Sequence, residues 1–133
     1  MLKRVHHIDY LVRNLDQSIA QYQKAFGVEI ENRVQIQGVD LAYFHIGDVL
    51  MALISPIDPK SPLQKQLDEQ GESFMHMGCE VDSLDEAVQE LKAKGVRLRN
   101  EKPRPGLKDW RIKLIDLVDG ETNGPTIQLV EPA

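Results

Sequence analysis

The chain has 133 residues, enough for one domain with a buried core. A net charge of −5, with 28% charged and 41% hydrophobic residues, fits an ordinary soluble globule and gives nucleic acid no electrostatic footing. The lone Cys79 excludes an internal disulfide, and no apolar run nears the roughly 18–20 residues of a membrane helix.

Arg4, His6, His7 and Asp9 come too early for the apolar region of a signal peptide, so a cytoplasmic protein is expected. Val5 to Val12 has the bulky composition of a strand. Asn14 or Asp16 can cap a helix whose apolar positions are Leu15, Ile19, Tyr22 and Phe26, ended by Gly27. Val28 to Ile36 alternates like a half-buried strand. Leu41 to Ile46 and Val49 to Ile54 flank Gly47-Asp48 as a hairpin. Pro56, Pro59 and Pro62 mark a connector, and Ser61 can cap a short helix from Pro62 to about Gln70. Phe74 to Val81 reads as a strand, and Ser83 with Glu86 forms a capping box for a helix bearing Leu84, Val88 and Leu91. A strand starts at Val96 to Leu98, Lys102 to Gly106 is a loop, and Arg111 to Leu117 and Thr126 to Val130 are the last strands.

The chain repeats itself. His7-Ile8-Asp9 through Leu15-Asp16 recurs as His76-Met77-Gly78 through Leu84-Asp85. Lys24-Ala25-Phe26-Gly27-Val28 is echoed by Lys92-Ala93-Lys94-Gly95-Val96, and Ala52-Leu53-Ile54-Ser55-Pro56 by Gln128-Leu129-Val130-Glu131-Pro132. Each half is strand, helix, then three strands, so two similar modules share one chain. The expected boundaries are about 1–57 for module one, 58–72 for a connector and 73–133 for module two, within a single domain.

This order resembles the vicinal oxygen chelate superfamily, which includes glyoxalase I, extradiol dioxygenases and bleomycin-resistance proteins. Within it the chain is most similar to the methylmalonyl-CoA epimerase family. The likeness rests on His6-His7-Ile8, Pro56-Ile57-Asp58-Pro59-Lys60-Ser61-Pro62, Phe74-Met75-His76-Met77 with Glu80-Val81-Asp82, Lys92 to Val96, and Glu101 to Gly106. It implies an α+β fold in which two tandem βαβββ modules form a curled mixed sheet around a shared cleft. It also implies a homodimer and a small-molecule substrate, with a coenzyme A thioester first to try.

By the resemblance, four metal-ligand positions fall on His7, Ala52, His76 and Gln128. The epimerases typically carry His, Gln or Glu, His, and Glu there. This chain keeps both histidines, has a neutral amide at 128 and has no donor at Ala52. Zn, Co or Ni would be held by His7, His76 and Gln128, with weakened affinity because no anion contributes. Gln128 also cannot act as a base. Strand alternation puts Asp9 on the face of His7 and Glu80 on that of His76, while Tyr43 sits opposite Ala52 and His45 opposite Leu50. Asp9, Glu80 and His45 are therefore candidate acid–base groups. Tyr43, Ala52 and Arg104 are candidate substrate contacts, the last through the loop that the resemblance brings to a coenzyme A phosphate. His6 should face away and be structural, and Cys79 should pack as a small apolar residue. An isomerase abstracting a proton beside a carbonyl or thioester is the first reading. A metal-free binding protein of the bleomycin-resistance type is the alternative.

Overall fold

A computed structural model describes all residues, 1–133. The first set of elements is β1 (Arg4–Leu11), α1 (Leu15–Phe26), β2 (Asn32–Ile36), β3 (Val39–Ile46) and β4 (Val49–Pro56). Helix α2 (Pro62–Gln70) follows. The second set is β5 (Ser73–Glu80), α3 (Leu84–Ala93), β6 (Arg104–Pro105), β7 (Ile112–Asp116) and β8 (Thr126–Pro132). The order βαβββ thus occurs twice in tandem, and the fold is α+β with a mixed sheet. The β5/β8 pair is parallel, whereas β2/β3, β3/β4, β6/β7 and β7/β8 are antiparallel.

The chain forms two compact units, Ile8–Met75 and Met1–His7 with His76–Ala133. Their boundary falls inside β1, so the first seven residues go with the second copy of the repeat.

In the unit Ile8–Met75 the strands run β2-β3-β4-β1. Asn14 caps α1 by accepting from the Gln17 amide, and Gly27 leaves it at φ 64 with its amide on the Gln23 carbonyl. Leu15, Ile19 and Tyr22 pack on Ala42, Phe44, Met51 and Leu53. Phe26, expected on the same apolar face, is instead 75% exposed. It is the last helical residue, where the chain turns away at Gly27, and its ring keeps only a tilted contact with Tyr22. The strand expected from Val28 begins at Asn32. Val28 and Ile30 pack against the α1 cluster, and pairing starts with the Glu31 amide on the Tyr43 carbonyl. Gln37 and Gly38 both have positive φ, which gives the β2–β3 turn the twist a tight hairpin favours.

In the second unit the order is β1-β5-β8-β7-β6. One face of this sheet packs on α3. Val81, Leu84, Ala87 and Val88 meet Ile115, Leu117 and Leu129 there, with Leu91, Val96 and Leu98 at the margin. Buried Cys79 is a further small residue of this unit, and burial pushes its thiol up. Alternation sends Ile112, Leu114 and Val130 to the opposite face, where Trp110 covers them. Two expectations need correction. Val96 to Leu98 forms no strand, only a bridge from Leu98 to Leu117. The third strand of this copy is β6, two residues inside the segment expected as a loop. Pro103 and Pro105 lack amide protons, which keeps the element short and at the sheet edge.

Candidate active site

The face of the second unit turned away from α3 carries a connected set of polar side chains. Gly78 pairs with Gln128 between β5 and β8, and Gln128 pairs with Asp116 between β8 and β7. Register partners point to the same side of a sheet, so these positions line up across three strands. His7, from β1, lies over Gly78. A Cβ added there would stand 2.1 Å from His7 Cε1 and 2.4 Å from its Nδ1. Gly78 is not among the glycines with positive φ, so it is needed for space rather than backbone freedom. That space lets the buried imidazole reach across β5.

The His7 ring meets Gln128 with Nε2 and Oε1 2.7 Å apart. Gln128 Nε2 donates to Asp116 Oδ1 at 2.8 Å, and Arg104 Nε donates to Asp116 Oδ2 at 2.6 Å. On the far side of the ring, His7 Nδ1 lies 2.9 Å from His6 Nδ1. Trp110 packs on both imidazoles, with ring centroids 4.9 Å from His7 and 6.0 Å from His6. Burial alone pushes the Asp116 carboxyl up. The hydrogen bond and charge of Arg104, the Gln128 amide and the nearby His76 outweigh it and hold the group below the usual carboxylate range.

His7 and Gln128 are therefore in direct contact. His76 lies on β5 two residues before Gly78, hence on the same face; it is half-buried, and its field reaches Asp116. Glu80 shares that face too and is tied to Arg4 at 2.8 Å. Arg104, expected at a substrate phosphate, is paired with Asp116. The remaining candidates belong to the unit Ile8–Met75. Tyr43 pairs with Ala52 and His45 with Leu50, the registers read from the hairpin. Tyr43 is buried and Ala52 fully so, beside apolar Leu41, Leu50 and Ile54. Asp9 is buried. His45 is exposed and paired with Glu31 at 2.6 Å.

Four participants escaped the sequence reading: His6, Gly78, Trp110 and Asp116. His6 does not face away. Nδ1 is bonded to Cγ and is the ring nitrogen nearer the backbone, so neighbouring rings on one strand can still meet through these atoms. A glycine inside a strand is a known mark of close approach. Asp116 is set opposite Gln128 by the register of β7 against β8, which the echo of Ala52 in Gln128 does not give.

The donors can be tested against a divalent ion. No three His, Cys, Asp or Glu side chains converge to hold one. Asp116 takes the NH2 of Gln128, which turns Oε1 toward His7 Nε2, and a 2.7 Å contact with an acceptor asks Nε2 for a hydrogen rather than a lone pair. Ala52 offers no donor. As arranged, these residues do not fit a metal.

The profile of the Glyoxalase/Bleomycin resistance protein/Dioxygenase superfamily matches residues 6–113. The chain is 29% identical over 133 residues to the uncharacterized protein YqjC of Bacillus subtilis (strain 168), covering 98% of this chain and 94% of YqjC. It is 31% identical over 108 residues to the mitochondrial methylmalonyl-CoA epimerase of Bos taurus, covering 79% of this chain and 62% of that protein's length. A solved methylmalonyl-CoA epimerase in complex with methylmalonyl-CoA and NH4+ superposes with a TM-score of 0.87 at 26% identity, covering 100% of this chain and 96% of that one.

Proposed function

The chain belongs to the Glyoxalase/Bleomycin resistance protein/Dioxygenase superfamily, and from that premise we propose an epimerase-like isomerase. It would move a proton at the carbon beside the carbonyl of a small carboxylated acyl thioester, with methylmalonyl-CoA the first substrate to try. The observation that carries this reading is the double likeness to methylmalonyl-CoA epimerases, in sequence and in a structure holding methylmalonyl-CoA.

The chemistry of the face supports it. Proton transfer beside a carbonyl wants a group that can take and give a proton and can reach the substrate. His76 is an imidazole on this face and only half-buried, so it is the proton-transfer group we favour. His7 is buried and held from both ring nitrogens, which suits a fixed support rather than a proton carrier. Lys102 at the neighbouring loop can meet a coenzyme A phosphate, whereas Arg104 is engaged by Asp116. A homodimer remains part of the proposal.

Incubation with methylmalonyl-CoA in deuterium oxide tests the reading. Deuterium should enter the carbon beside the thioester, and His76→Ala should slow that exchange by roughly 100-fold or more. No exchange above buffer would overturn it.

One observation favours the alternative of a metal-free binding protein. Both carboxylates of the face are engaged by arginines, Glu80 by Arg4 and Asp116 by Arg104, and Arg104 helps hold the Asp116 carboxyl below the usual range, which makes that group a poor base. Under that reading the same thioester would raise the melting temperature without exchanging its proton.

A further inference from the structure

The hydrogen-bond chain from Arg104 to His6 leaves little freedom in where its protons sit. Asp116 is bridged to Arg104 at 2.6 Å and so acts as a carboxylate, which only accepts. The Gln128 group facing it at 2.8 Å must then be the NH2. This turns the Gln128 carbonyl toward His7, and the contact at 2.7 Å requires a hydrogen on His7 Nε2. A neutral imidazole carries one proton, so with Nε2 occupied, His7 Nδ1 is an acceptor. With His7 neutral, its 2.9 Å contact is met by a proton on His6 Nδ1. The charge of Arg104 thereby sets the direction of the hydrogen bonds from Asp116 through Gln128 to His7, and His7 in turn asks His6 to donate.

We propose that His6 is a positioning residue for His7: by donating from Nδ1 it keeps the His7 proton on Nε2, so His7 serves the site as a hydrogen-bond donor to Gln128 and not as a metal donor. No net charge changes in this device. A ligating imidazole presents an unprotonated nitrogen to the ion and donates its other N–H to an outer acceptor. Here both ends of the ring are set the opposite way. Gly78 makes the arrangement possible by leaving room for the ring over β5, and Trp110 closes over both imidazoles. The inference concerns these residues alone and stands whatever the substrate proves to be.

The test reads the tautomer directly. Long-range 15N–1H correlation spectra of the full chain at pH 8, above the ordinary imidazole range, should show His7 protonated on Nε2 and bare on Nδ1. His6→Asp replaces the donor with a group that can only accept. It should move the His7 proton to Nδ1 and free Nε2, and a titration with cobalt(II) chloride should then bind roughly tenfold or more tightly than with the native protein, the scale of an outer-shell change at a metal site. Activity enters neither readout, so failure here is separable from failure of the isomerase reading. A native His7 bare on Nε2 would overturn the proposal, whether or not the variant folds. So would a folded His6→Asp protein with the His7 tautomer unchanged.

Discussion

The two copies of the repeat agree on one face and part on the other. On the faces that meet α1 and α3 they match closely. Leu53 in β4 and Leu129 in β8 occupy echoing positions, and both are essentially buried. On the opposite faces the first copy sets Tyr43 against Ala52, among Leu41, Leu50 and Ile54, while the second sets Asp116 against Gln128. The strand residue two after the histidine differs as well, Asp9 in one copy and Gly78 in the other. The glycine gives an imidazole room to lie over it. Burying apolar area against a helix leaves little choice of residue type, because each lost methylene is felt in a packed interior. The other face is buried too but tolerates polar groups, so the second copy carries the Asp116–Gln128–His7 network there, while the first sets Tyr43 and Asp9 beside Leu41, Leu50 and Ile54.

The largest effects should come from the side where the copies agree. Leu53→Ala and Leu129→Ala should each cost about 2–5 kcal/mol in urea unfolding, with similar values. A difference above about 3 kcal/mol would mean that the helix faces are not equivalent. Gly78→Ala should come next, at about 1–3 kcal/mol, since the added methyl overlaps the His7 ring and must displace it. The same variant should shift the His7 resonances strongly; unshifted resonances would mean that the glycine does not make room for the ring. Gln128→Leu keeps size but strands the His7 and Asp116 partners, for about 1–2 kcal/mol.

The smallest effect is in pH. Asp116 titrates below its ordinary 3.8 in the folded protein. Its contribution is therefore complete above that value and is lost as pH falls through the lower folded value. Melting temperature should drop more steeply below about pH 4 in the native protein than in Asp116→Asn. Equal slopes would place the acid sensitivity elsewhere.

Most of the scaffold was legible because its signals are local. Asn14, Ser61 and Ser83 each cap the helix that the sequence assigned to them. The hairpin at Gly47-Asp48 has the expected register, so Tyr43 and Ala52 were paired correctly. The errors came where tertiary contacts override local pattern. Val28 and Ile30 alternate like a strand but spend their apolar surface on α1. Val96 to Leu98 looks like a strand opening but makes a single bridge, while proline-flanked Arg104 joins the sheet. In the site, the repeat and the family resemblance together brought His7 and Gln128 to one place. They could not supply Asp116, which becomes visible only when the register of β7 against β8 is known, nor His6, whose contact depends on ring orientation.

In the proposed site the imidazoles work through hydrogen bonds. Protein stripped with a chelator and assayed in metal-free deuterium oxide tests it most directly. Wash-in of deuterium beside the thioester of methylmalonyl-CoA should continue at the rate of untreated protein. Exchange that stops on chelation and returns with added cobalt would contradict the claim.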